Sequence, residues 1–315
     1  MPPDTLSMPP HKPDAPGAQA GSPPSSAESL ADPLTRRSTA IGRFLRDPAA
    51  LAGLVLVLLV IGLALLAPLL APHDPNFLFD DGTSDSGAPL GSSAKFLLGT
   101  DPEGRDILSR LLWGGRTTLA IAGVAMLTTA LIGLTTGCIA GYLRGWIDVL
   151  LMRGTDVLLA LPPVLLAMAL AAAFSGGFGS VVVVVAAVAW PPLARTVYAQ
   201  VLTMRERDFV EAARALGAGT PRILIAHIAP QVLPVTLVYT TLGVATAVSL
   251  ESTLSFLGLG IPSTGISWGV MINIGLDYYQ SDPPLLLYPA VAIVLTVLGF
   301  TLVGEGLRRA LGTLE

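Results

Sequence analysis

The stretch DFVEAARALGAGTPRILIAHIAPQVLP, Asp208 to Pro234, decides how the rest of the chain is read. It is polar and broken by turns, and it lies between two apolar runs long enough to cross a bilayer. Helical spacing runs from Arg207 to Leu216, with Phe209, Ala212, Ala213 and Leu216 on one side and Arg207, Glu211 and Arg214 on the other. Glu211 can pair with either arginine, and each pair supports an isolated helix by about 0.2–0.5 kcal/mol. Ala212, Ala213 and Ala215 favour helix and carry almost no side chain, so this helix can enter a narrow groove on another protein. Gly217 or Gly219 supplies a left-handed helix end, and Thr220 and Pro221 read as the N-cap and first position of a second helix. A helix, a turn and a second helix between two membrane runs make a docking element.

Outward from it, the 315 residues are 52% hydrophobic and 13% charged, with a mean hydropathy of +0.68, outside the range of soluble globular chains. The class is a multi-span membrane protein. Residues 1–40, rich in Pro, Ser, Ala and Gly, are expected to form a disordered tail rather than a cleaved leader. A first uncharged run lies between Asp47 and His73, preceded by Arg36, Arg37, Arg43 and Arg46. With the external loop that follows, it makes an N-terminal unit of residues 41–98, and residues 99–315 hold five further spans. In the polar loop, Asp101 as N-cap, Pro102 as first helical position and Glu103 in the first turn announce a short interfacial helix, in which Asp106 pairs with Arg110. The second span covers Thr117 to Leu143, where Gly123, Gly133, Gly137 and Gly141 offer close-packing surfaces. Val157 to Ala194 holds two spans joined at Ser175–Ser180, with breaks or kinks expected at Pro162–Pro163 and Pro191–Pro192. The fifth runs from about Leu233 to Leu254 and the sixth from about Leu285 to Val303, with Trp268, Tyr278 and Tyr279 suited to the outer aromatic belt.

Fourteen of the eighteen Lys and Arg fall on segments this scheme puts inside, which sets both termini in the cytoplasm. The spans hold no Asp, Glu, Lys or Arg except Glu251, which reads either as a packing residue or as a contact on the translocation path; Pro162 is a second path candidate. Coupled ion movement would need more such groups. No phosphate-cradling GxxxxGK[ST] loop is present, and the single cysteine, Cys138, and three scattered histidines give no metal cluster. His227 reads as a hydrogen-bonding loop residue. Asp101, Arg105, Asp106 and Trp268 are candidates for contact with a protein outside the membrane, against the alternative of a capped, ion-paired helix.

The string EAARALG (Glu211 to Gly217), followed by His227, Ile228, Pro230 and Pro234, resembles the cytoplasmic "EAA" loop in the membrane subunits of bacterial ATP-binding cassette (ABC) importers. LGTDPEGRDILSRLLWG (Leu98 to Gly114), DVLLALPPVLLA (Asp156 to Ala167), LESTLSFLGLGIP (Leu250 to Pro262) and WGVM (Trp268 to Met271) narrow the resemblance to the C-type permease of dipeptide, oligopeptide and nickel importers. The resemblance implies an all-α membrane protein with six transmembrane helices and the type I ABC importer permease fold. It implies a non-catalytic subunit of the inner membrane forming half of a path for di- or oligopeptides, with nickel or another small solute as the alternative cargo. A stand-alone secondary transporter is the competing class. It also implies partners: a homologous second permease, two ATP-binding subunits that carry the ATP and Mg, an extracytoplasmic solute-binding protein and membrane lipid, with no nucleic acid. The coupling loop, about 205–232, is then Glu211, Ala212, Ala213, Arg214, Leu216, Gly217, Pro221, His227 and Pro230.

Overall fold

The computed structural model describes residues 33–312 apart from 86 and 263, with side chains from residue 40 onward. Among these residues the ordered elements are helices, with isolated bridges only at Thr83–Pro89 and Thr100–Asp106. Helix α1 (Pro33–Arg46) begins inside the stretch expected to be disordered up to residue 40, and residues 1–32 lie outside the described residues. One residue, Asp47, joins it to α2 (Pro48–Leu65). Its Oδ1 accepts the N–H groups of Ala49 and Ala50 at 3.0 and 3.3 Å, capping α2, while Oδ2 receives Arg309 at 2.6 Å. The Arg309 hydrogen bond holds the Asp47 carboxyl below the usual aspartate range.

A short turn, α3 (Ala67–Leu70), leads into the polar loop, and α4 (Ile107–Leu143) follows. The separate interfacial helix expected from Asp101 does not form. Asp101 Oδ1 accepts the N–H groups of Glu103 and Arg105, both at 2.9 Å, in a side-chain turn, and Gly104 sits at φ +79°, which stops helix propagation. The N-cap is Asp106, whose Oδ2 accepts from Ser109 N at 2.9 Å, so it is not paired with Arg110. From there one unbroken helix contains the whole second span.

The chain continues through α5 (Gly145–Leu159), α6 (Pro163–Ala173) and α7 (Phe178–Met204). Helices α5 and α6 meet at 96°, at the Pro162–Pro163 break expected from sequence, whereas α7 passes through Pro191 and Pro192 without interruption. Then come α8 (Asp208–Ala215), α9 (Thr220–Arg222), a π-helical turn (Ile223–Ile228), α10 (Ala229–Phe256), α11 (Trp268–Leu276) and α12 (Pro284–Leu311). Five helical stretches are long and apolar enough to cross a membrane, and the bent α5–α6 pair makes a sixth.

Packing shows that the bent pair crosses. A Cβ added to Gly133 would meet Leu193, at Gly137 it would meet Val197, and at Gly141 Val201. The paired positions rise together, so α4 and α7 run parallel, and the chain between them must return across the bundle. The turn before α7 accordingly meets the loop after α10, where Gly177 N donates to Gly260 O at 3.2 Å. Three glycines at four-residue spacing let the two backbones approach, a packing mode typical of membrane helices. Gly123, assigned the same role from sequence, has no neighbour there. Along α2 and α12 the order is reversed: Ala50 meets Gly306, Gly53 meets Leu302, and Val57 meets Gly299. Helices α2 and α12 are therefore antiparallel neighbours, and the start of α2 and the end of α12 share the end of the bundle that carries α8.

Candidate functional site

Helix α8 begins after Arg207, in extended conformation, and places Asp208 and Glu211 in its first turn and Arg214 in its last, the charge order its dipole favours. It closes where Gly217 takes φ +80°; Gly217 N donates to Arg214 O at 2.9 Å and Ala218 N to Ala213 O at 3.0 Å, satisfying two terminal carbonyls. Val210 and Ala213 face inward onto Tyr142, Val197, Val201, Ile223 and Ile228. Phe209, Glu211, Ala212 and Leu216 face out, Leu216 with 89% of its surface exposed. The expected face is thus divided, Ala213 being core while Phe209, Ala212 and Leu216 form an uncovered apolar strip. Neither expected ion pair of Glu211 forms among the described residues.

Arg214 turns away from that strip. Its Nε donates to Tyr142 Oη at 3.2 Å, and its guanidinium lies 5.2 Å from the centre of the Tyr142 ring. Arg205, just past the end of α7, donates through Nη1 to the Tyr142 carbonyl at 3.2 Å, one of the last carbonyls of α4 that have no intrahelical donor. Tyr142 thereby joins α4, α7 and α8. Sequence reasoning missed it, because nothing in local spacing connects residues 72 apart.

The second helix starts one residue earlier than expected, with Gly219 as N-cap, Thr220 first and Pro221 second. Pro221 and Pro230 are exposed, and His227 is half-buried with no side-chain hydrogen bond among the described residues, contrary to expectation. Ala229 N donates to Leu224 O, five residues back. Pro230 explains the widened turn: it has no N–H for the Ala226 carbonyl, and its ring would strike that carbonyl in a regular helix. From Thr220 to Phe256 the chain is then one continuous apolar rod, starting well before the span expected from Leu233.

At the opposite end, Asp101, Arg105, Asp106 and Trp268 are all buried and present no surface to a partner. Asp101 Oδ2 receives Arg105 Nε at 2.7 Å and Arg110 Nε at 3.4 Å, and Arg110 Nη1 donates to Pro75 O at 3.2 Å. Trp268 is not part of an aromatic belt; its Nε1 donates to Leu111 O at 2.9 Å, with the ring over Gly114 and Gly115. These residues seat the polar loop and α11 on α4.

Glu251 is wholly buried on α10. Ser255 Oγ donates to it at 2.8 Å and Ser252 Oγ at 3.4 Å, and the hydroxyls of Thr118 on α4 and Ser267 before α11 stand close by. Enclosed within the chain, it exposes no surface of its own. Pro162, the other path candidate, is exposed at the α5–α6 break. A crevice of about 430 Å³ between α2, α4 and α12, lined by Leu59, Leu63, Leu112, Val291 and Leu295 among others, carries no charged group and suits an acyl chain better than a polar solute.

Residues 133–313 match the family described as binding-protein-dependent transport system inner membrane component, and residues 35–89 match the N-terminal transmembrane domain of oligopeptide transport permease C. The chain is 40% identical over 270 residues to a putative peptide permease protein of Brucella suis biovar 1, covering 85% of this chain and 88% of that one. It is 40% identical over 269 residues to the glutathione transport system permease protein GsiD of Pectobacterium atrosepticum (85% and 88%). It is 37% identical over 266 residues to the dipeptide transport system permease protein DppC of Alkalihalophilus pseudofirmus (84% and 86%). Among solved structures, the MetNI methionine ABC transporter in an inward-facing conformation superposes with a TM-score of 0.53 at 22% identity, over 64% of this chain and 95% of that one. That likeness is one of fold.

Proposed function

The chain belongs to the family of binding-protein-dependent transport system inner membrane components, and from that premise we propose that it is one permease subunit of an ATP-driven peptide importer, moved through α8 by a partner ATPase. The observation that carries this reading is the two-sided α8. Its outer face is an uncovered strip of Phe209, Ala212 and Leu216 beside Glu211, and its inner face is keyed to Tyr142 at the end of α4. A groove on an ATPase that accepts Ala212 and Leu216 would carry α8 with it. Through Arg214 the displacement reaches α4, and through Gly217 and the π-helical turn it reaches α10. The two arrangements of such a coupled set are the inward- and outward-open states, biased by ATP held with Mg on the partner subunits.

The remaining partners follow from the same reading: a homologous second permease completes the path and a solute-binding protein delivers cargo. The bundle end bearing α8 faces the cytoplasm with both termini, supported by Arg205, Arg207, Arg214 and Arg222 on one side against Asp74, Asp80, Asp81 and Asp85 on the other. Peptide as cargo is supported by the named relatives. Glu211→Lys tests the coupling, because the residue is exposed and the change leaves the fold alone. The variant chain should insert normally, lose the ATPase subunits on purification and import no peptide. Wild-type uptake with full assembly would refute the docking role. Competition by di- and oligopeptides but not nickel chelates identifies the cargo class.

A further inference from the structure

Helices α2 and α12 meet closely over only part of their length. Toward the end that carries α8 the contact is made through small residues: Ala50 on Gly306, Gly53 beside Leu302, and Val57 on Gly299. Toward the other end α12 carries Leu295, Val291 and Leu287 in place of glycine, four residues apart and hence on one face, and α2 carries Leu59 and Leu63. Side chains of that size keep the two backbones from closing as they do at the glycines. The wedge left between them is the crevice of about 430 Å³, with Leu112 of α4 on its floor and the Trp268 ring at its side. Trp268 brings no free polar group to it, because its N–H is spent on the Leu111 carbonyl. Leu59, Leu63, Leu287, Val291 and Leu295 stand exposed along the mouth.

Size and polarity separate the candidate occupants. Water is excluded, since a cavity with apolar walls stays dry. A helix of the second permease is too wide. From Leu287 to Leu295 the crevice follows α12 for about 12 Å at 1.5 Å per residue. Over that length its volume corresponds to a channel about 7 Å across, whereas a helix with its side chains measures about 10–12 Å. The remainder of this chain offers no filling either, because residues 1–32 hold no apolar run. An extended hydrocarbon chain, whose carbons meet their neighbours at about 3.5–4.0 Å, fits.

We propose that the crevice holds one acyl tail of a phospholipid from the leaflet opposite the α8 end, inserted as a wedge between α2 and α12 beside Trp268. The tail completes the packing that the glycine seam leaves unfinished and so fixes how far the two helices splay. This assignment rests on these helices crossing a bilayer and is independent of cargo and of the partner ATPase.

The test uses the full-length chain carrying Trp113→Phe, Trp146→Phe and Trp190→Phe, which leaves Trp268 as the single tryptophan. It is reconstituted in phosphatidylcholine with a rising fraction of the same lipid brominated along its acyl chains. Trp268 emission should fall along a saturable, one-site curve, although only 4% of the residue is exposed. Leu63→Phe together with Val291→Phe, which fill the crevice from its rim, should remove most of that quenching. Leu58→Phe, on an exposed part of α2 outside the crevice, should leave it unchanged. An unquenched Trp268, or quenching that the filling pair leaves intact, overturns the proposal. Loss of the quenching on assembly with the second permease gives the crevice to that subunit and overturns it likewise. A measurement on the unsubstituted chain guards against a misfolded variant: by native mass spectrometry it should keep a single phospholipid through detergent exchange, and a chain that keeps none refutes a seated tail.

Discussion

Tyr142 and Arg214 form the hydrogen-bonded link between the exposed helix and the bundle, and each is bound in a way that a conservative change can dissect. Tyr142→Phe removes the oxygen that receives Arg214 Nε and keeps the ring under the guanidinium. Because Arg214 is exposed and water can replace the lost acceptor, the change should cost about 0.5–1.5 kcal/mol of α8 docking on the chain's own core. The expected outcome is a complex that still assembles and hydrolyses ATP but imports less cargo per ATP consumed, measured in proteoliposomes. A parallel fall in assembly would mean that the tyrosine merely holds the fold. Arg214 was visible in the sequence but misassigned, because helix spacing offers only neighbours three and four residues away. A tyrosine at the end of a different apolar helix has no local signature. Glu251 illustrates the reverse: the general expense of a buried carboxylate marked it, and the fold shows that the hydroxyls of Ser252 and Ser255 on the same helix satisfy it.

Among elements, α4 and α7 form the seam on which the rest is hung. A side chain at Gly137 would come within 2.7 Å of the Ala194 carbonyl, a backbone atom that cannot swing aside. Gly137→Val should destabilise the bundle by about 1–3 kcal/mol and lower its thermal midpoint in detergent, whereas Gly123→Val, facing open space, should leave the midpoint near wild type. The four-residue glycine spacing was legible as a packing face, but the helix that fills it was not. Proline was an uneven guide to breaks: Pro162–Pro163 separates α5 from α6, as its spacing suggested, whereas α7 runs through Pro191 and Pro192 and the π-helical turn before Pro230 had no expectation attached to it. Asp101-Pro102-Glu103 misled because an aspartate followed by proline serves a side-chain turn as well as a helix cap, and Gly104 decides for the turn.

For the molecule as a whole, hydropathy counted the spans correctly, since an uncharged run from Val157 to Ala194 is too long for one crossing. What it could not supply was direction, which comes from the rising register of α4 against α7. With Cys138→Ala as background, a cysteine at exposed Ser175 should react with a membrane-impermeant maleimide in intact cells, and one at Asp208 only after permeabilisation. Labelling of both from the same side would dismantle the six-crossing arrangement and the proposed orientation together. The antiparallel seam between α2 and α12 has a further implication for biosynthesis. Helix α2 is synthesised before α12, so Gly53 and Val57 lack the surface they pack on until Pro284–Leu311 is made. A nascent chain cut short before that point keeps an orphan face on α2.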